Sequence, residues 1–190
     1  MIRRRQFSAA LAASVAVASG PAHAKDTALP TPKSLPQVAL GAKALGQPLV
    51  LLVTLPGCVY CELVRRNYLM SLLQESGLQA WQLDITNRST PLIGFDGQAT
   101  TAAAQIKAWK ATFTPTVLFL GSRGEELAER LVGIAVPDFY GAYLEQRLAT
   151  AHKAILIRTK YELAVCNTFN SMTCTPTDAF QAPQHSNWYR

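Results

Sequence analysis

The arrangement of apolar and polar positions changes along the chain, and each change predicts an element. Leu49 to Val53 is wholly apolar, followed by Thr54 and Leu55. A continuous run of that length fits a central strand, Leu49–Leu55, covered on both faces. Upstream, Val38, Leu40, Ala44 and Leu45 suggest a short first helix, ended by Gly46 before Pro48. Downstream, Cys61, Val64, Tyr68 and Leu72 recur at helical spacing, with Leu69 and Leu73 beside them. That stripe reads as core. Arg65, Arg66 and Asn67 fall elsewhere and read as a solvated face, and Gly77 is a candidate C-cap. Leu78–Thr86 alternates through Trp81, Leu83 and Ile85 and reads as a strand. Ala99–Ala111 is rich in helix formers, anchored by Ile106 and Trp109. Thr116–Leu120 and Glu125–Val132, joined by Gly121-Ser122-Arg123-Gly124, read as a hairpin, which Gly133 breaks. A closing amphipathic helix over Asp138–Ala151 carries Phe139, Tyr143, Leu144 and Leu148. The order is helix, strand, helix, strand, helix, strand, strand, helix. Parallel crossovers first and a hairpin last imply an α/β fold, a mixed sheet of about four strands with helices on both faces.

The first 24 residues stand apart from this pattern. Arg3-Arg4-Arg5 form a positive start, Ala9 to Val17 an apolar run, and Ala22-His23-Ala24 a small-x-small cleavage site. These are the three regions of a signal peptide in order, with Lys25 as the expected mature start and the periplasm as the expected location. The run is too short for a permanent membrane span. Arg4-Arg5-Gln6-Phe7 also resembles a twin-arginine signal in part, so two export routes stay open beside each other. Residues 25–34, with Pro30 and Pro32 ahead of Pro36, read as an exposed tether.

Composition then narrows the class. The chain has 190 residues and a formal charge of +6; without the leader and its three arginines 166 residues and about +3 remain. That length suits one domain with a real core, expected over 35–150. No basic cluster is interleaved with aromatics, which argues against a nucleic-acid partner, and no later segment suits stable membrane insertion.

The candidate chemistry lies just after the apolar strand, in Cys58-Val59-Tyr60-Cys61. A helix start carries unpaired N–H groups and partial positive charge. A thiolate held there is stabilised, so its pKa falls below the free value of about 8.5. Cys58 would be the nucleophile. Cys61, about one turn further in, would attack the mixed disulfide and release the substrate. The other reading is half of a zinc site, but a structural zinc site usually wants a second ligand pair at comparable close spacing, and none is present. No metal and no cofactor are expected. His152 and His185 are isolated and read as surface residues. Asp84, between Leu83 and Ile85, would either move protons near the site or face water.

With these residues in place the chain resembles the thioredoxin superfamily from about Leu35 to Leu148. The resemblance rests on the Cys-Val-Tyr-Cys pair opening the first long helix and on Thr114-Pro115 opening the strand after the third. It implies a cis peptide at Thr114–Pro115, beside the cysteines, with Thr114 offering its backbone to an extended substrate peptide. Pro115 also admits the reading of an ordinary strand-start proline. Cytosolic thioredoxins have Trp before the first Cys, Gly-Pro between the two, and a buried acid where this chain has Leu52. Here Gly57 and Val59-Tyr60 occupy the first of these positions. The Pro-His and large helical insertion of strong periplasmic oxidants are absent. Tyr60 and Thr114, the expected substrate-binding residues with Pro115, look more like envelope reductases and isomerases. The resemblance thus implies a reductase acting on disulfide-bearing envelope proteins and fed by a membrane electron donor. A disulfide donor or isomerase, and a peptide-binding or metal-chaperone module, are the alternatives.

Two segments fit the pattern less well. The Asn87–Gln98 loop exceeds the usual connection of about 4–6 residues and leaves the strand end expected at the active site. Phe95 and its neighbours would border the partner groove, or the loop is a surface loop only. After residue 150, Ala154–Val165 could extend the last helix, and Thr175–Arg190 has little to bury and reads as disordered. Cys166 and Cys174 would form a local structural disulfide in an oxidising compartment, or shuttle electrons with Cys58 and Cys61.

Overall fold

A computed structural model describes residues 28–168, with side chains to residue 161. The leader, the Cys166–Cys174 pair and the terminal segment expected to be disordered lie outside the described residues and side chains. The elements are α1 (Leu35–Ala44), β1 (Leu49–Thr54), α2 (Val59–Val64), a π-helical turn (Arg65–Leu69), α3 (Met70–Ser76) and β2 (Ala80–Asp84). Next come β3 (Leu92–Ile93), β4 (Ala99–Thr100), α4 (Ala102–Ala108), β5 (Thr116–Leu120), β6 (Glu126–Val132), a 3₁₀ turn (Pro137–Phe139) and α5 (Tyr140–Thr168).

The sheet order is β2-β1-β5-β6, so the strand with no polar side chain before Thr54 lies inside it. β1 pairs parallel with β2 and antiparallel with β5, which pairs antiparallel with β6. The first crossover is parallel as expected. The second is not, because the chain reverses before β5. Alternation along β1 and β5 feeds two cores. Val50, Leu52, Val117 and Phe119 pack with Val64, Leu69, Tyr140, Leu144 and Leu148. Leu49, Leu51, Val53, Leu118 and Leu120 pack with Leu35, Ala39, Ala42 and Ile106. Trp81, Leu83 and Ile85 join the second core, as their alternation predicts.

Several expectations are corrected. The segment before α1 is no exposed tether near its end. Leu29 is buried, the Pro30 carbonyl accepts from Gln82 N–H (2.9 Å) and the Lys33 carbonyl from Ile93 N–H (3.0 Å). This segment supplies acceptors to one backbone donor on the β2 edge and one on β3. In α1 the inward face is Leu35, Ala39 and Ala42, while Leu40 and Leu45 are exposed. The helix begins at Leu35, capped by the Ser34 hydroxyl, and small alanines let it approach the sheet closely. In α5, Tyr140, Leu144, Leu148 and Ala151 are buried, whereas Phe139 and Tyr143 are exposed. The 3₁₀ turn takes up Phe139 and shifts the inward face by one residue. α5 also runs without a break past residue 150.

The Asn87–Gln98 segment doubles back as a two-stranded hairpin, β3 against β4, bridged to Ser34. Phe95 at its turn packs on Trp109, centroids 6.3 Å apart, and lies against Gly124. Leu49 pairs with Leu120, so the turn that holds Gly124 is at the end of the sheet away from Cys58. Phe95 therefore does not border a groove at the cysteines.

Candidate active site

β1 ends at Thr54, and Leu55-Pro56-Gly57 carries the chain over to Cys58. Gly57 takes φ +74°, a left-handed conformation that disfavours side chains. Cys58 is the N-cap of α2 and its Sγ accepts a hydrogen bond from Cys61 N–H at 3.2 Å. The Cys58 carbonyl accepts from Glu62 N–H at 3.1 Å. Cys58 and Cys61 form a disulfide, with Cα atoms 5.2 Å apart. The two sulfurs are not equivalent, since Cys58 is partly exposed and Cys61 is 1% exposed. Val59 and Tyr60 between them project into solvent.

The Thr114–Pro115 peptide is cis. Val53 pairs with Thr116, so this segment lies at the same end of the sheet as the cysteines. Pro115 is buried and Thr114 half-buried. The Pro115 carbonyl accepts from Gly133 N–H (2.7 Å), and the Thr116 hydroxyl donates to the Phe113 carbonyl (2.6 Å). Asp84, opposite Thr54 on β2, accepts from Thr86 N–H and from the Thr86 hydroxyl, both at 2.7 Å. Leu52 is fully buried on the face that receives α2.

Arg65 is the residue the sequence reading misplaced. It is buried, not solvated. Its Nη2 donates to Thr54 Oγ1 at 3.2 Å, its Nη1 pairs with Glu62, and Glu62 also meets Arg66 Nε at 3.3 Å. Arg65 Nε is buried without a partner among the described residues, which costs on the order of 1–3 kcal/mol. The π turn that starts at Arg65 interrupts the regular helix, and such turns recur at functional sites. The available signal was position. Cys61, Arg65 and Leu69 are spaced by four and share one helix face, and all three are buried.

A dithiol–disulfide pair at a helix start, beside a buried cis proline on a neighbouring strand, defines a thiol–disulfide oxidoreductase. The thioredoxin-like domain profile matches residues 36–148, more than half of the chain, and the chain belongs to that family. No curated protein matches it. Among solved structures it is similar to the periplasmic thioredoxin SoxS of Paracoccus pantotrophus, at 20% identity, 55% of this chain, 99% of that one and TM-score 0.38. It is also similar to thioredoxin O2 of Arabidopsis thaliana (17%, 64% and 96%, TM-score 0.43). The C-terminal domain of Neisseria meningitidis DsbD is similar as well (18%, 58% and 90%, TM-score 0.40). No helix among the described residues is long and apolar enough to cross a membrane.

Proposed function

We propose that the protein is exported to the periplasm and reduces disulfides of envelope proteins, with Cys58 as nucleophile and Cys61 as resolving thiol. The observation that carries the assignment is the contrast between the two cysteines. Cys58 is partly exposed with an amide N–H on its sulfur, while Cys61 is buried behind it. In the reduced protein the Cys58 thiolate attacks a substrate disulfide, forming a mixed disulfide, and the leaving sulfur takes a proton. Cys61 then gives up its proton and attacks Cys58 Sγ, which breaks the mixed bond and frees the second substrate thiol. Two electrons pass to the substrate, its two thiols take up the Cys61 proton and one from water, and the Cys58–Cys61 disulfide remains. A membrane dithiol donor returns the electrons. Thr114 and Pro115 would seat the substrate peptide as an added extended strand, with Tyr60 at its rim.

The leader of the sequence, with its arginines, apolar run and Ala22-His23-Ala24, supports export. The test is the reduction potential of the Cys58–Cys61 pair, by glutathione equilibration of protein carrying Cys166→Ser and Cys174→Ser. A value toward about −270 mV supports the reductase. A value near about −120 mV would make the protein a disulfide donor and overturn the direction. Cys58→Ser should abolish disulfide reduction, and full turnover by that variant refutes the nucleophile assignment.

A further inference from the structure

The helix face that buries Cys61 also buries a charge for which a simple dithiol has no structural need. Among the described residues Arg65 is the only charged residue in the buried set. A guanidinium does not lose its proton in proteins, so burial cannot be relieved by neutralisation. It must be met by acceptors or anions. Arg65 has two partners, the Thr54 hydroxyl and the Glu62 carboxylate, and a third donor, Nε, unmet. Arg65 stands four residues after Cys61 on the same buried face, where side chains are neighbours with Cβ atoms about 5–6 Å apart. Its backbone N–H also donates to the Cys61 carbonyl.

The sign of the field follows from exposure. Glu62 is shared between Arg65 and Arg66, so one carboxylate faces two guanidiniums. The Glu62 side chain is 43% exposed and that of Arg65 10%, so water screens the negative charge more than the positive one. Asp84, the acid that ends the neighbouring strand, is turned to Thr86. The segment from Phe113 to Thr116 carries no charge. The helical segment that follows Cys61 therefore carries two guanidiniums against one carboxylate, a net positive set.

We propose that Arg65 is a positioning residue that raises the acidity of the Cys58–Cys61 dithiol, with Glu62 tempering it. Stabilising the thiolate favours the reduced protein, so the pair is a weaker reductant than it would be with a neutral residue at 65. This rests on the reading of Cys58 and Cys61 as the reacting pair, but thiol acidity is measurable with no substrate present.

The test uses the full chain with Cys166→Ser and Cys174→Ser, comparing Arg65→Met, Arg65→Lys and Glu62→Gln. The pH profile of iodoacetamide alkylation reads acidity, and glutathione equilibration reads the potential. Arg65→Met should lower thiol acidity about tenfold, one pKa unit. Above the thiol pKa it should shift the glutathione equilibrium by up to about tenfold, or about 30 mV, toward a stronger reductant. Arg65→Lys, which keeps the charge, should stay within about threefold of the parent, and Glu62→Gln should raise acidity. An unchanged profile in Arg65→Met, or equal shifts in the Met and Lys variants, overturns the proposal. If Arg65→Met does not fold, Glu62→Gln decides, and parental acidity there overturns it. A shifted alkylation profile in a protein that reduces no disulfide would leave Arg65's role standing and remove the proposed reductase function.

Discussion

Thr54→Val tests how the site is held together. Thr54 is 4% exposed at the end of β1, and its hydroxyl accepts from Arg65 Nη2 at 3.2 Å. A hydrogen bond to a charged group contributes about 1.5–3 kcal/mol. The Arg65 side chain is 10% exposed, so little of that is lost to solvent screening. Valine preserves shape and strand preference and buries one more methyl, which returns about 0.8 kcal/mol. The net loss should be about 1–2 kcal/mol. With a urea m-value of about 1–3 kcal/mol/M, the unfolding midpoint of the oxidised protein should fall by roughly 0.3–2 M at unchanged m. Thr116→Val is the internal control. That threonine is 1% exposed on the neighbouring strand, and its hydroxyl bonds the carbonyl of Phe113, an exposed residue, at 2.6 Å. A neutral bond contributes about 0.5–1.5 kcal/mol, so the methyl nearly offsets it. The reasoning fails if Thr54→Val unfolds at the parental urea concentration, or if Thr116→Val is the more damaging change.

The Tyr140 hydroxyl is buried with no partner among the described residues, and burial, then Tyr68, pushes its pKa well above the usual 10.0. The unfolded chain loses that proton first. The stability contributed is therefore full below pH 10 and declines above it by up to about 1.4 kcal/mol per pH unit. Tyr140→Phe should remove this alkaline slope and be as stable as the parent, or more so by about 1 kcal/mol, at neutral pH; urea titrations at pH 8 and 11 check both, and a loss above 1 kcal/mol at pH 8 contradicts it. Ending the chain after Thr150 deletes Ala151, fully buried, and Ala154 and Ile155, which pack on the core beneath α2 and α3. That should cost about 2 kcal/mol, and a thermal melt matching the parent would show that the extension is dispensable.

The elements legible in the sequence were those written in a local pattern. The run Leu49–Val53 needed two covered faces whatever surrounded it, and it occupies an interior place in the sheet. The Trp81-Leu83-Ile85 alternation, the turn at Gly121–Gly124 and the Cys58-Val59-Tyr60-Cys61 spacing are equally local. They held because strand period, turn chemistry and helical rise act within a few residues. The same holds for Gly77, which ends its helix in the left-handed conformation, φ +66°.

What needed the tertiary structure was the choice among faces. Leu40 and Phe139 look like core in sequence and lie outside, while Ala39 and Tyr140 lie inside. One residue of shift in a helix start turns its face by about 100°. Phe95 left the expected end of the sheet because its segment pairs with itself before the chain enters α4. Leu29 is core where the neighbouring Pro30 carbonyl meets the Gln82 N–H on the β2 edge, which no pattern in residues 25–34 announces. Arg65 is the sharpest case. By itself an arginine between Val64 and Arg66 belongs in water, because burying an unpaired charge is prohibitive. Only the fold brings Thr54, eleven residues upstream, and Glu62 to its guanidinium and makes burial affordable. The sequence by itself determined where the two cysteines stand on a helix and which strand delivers them. The tertiary structure decided which charge is buried on that helix, because that depends on partners from separate elements.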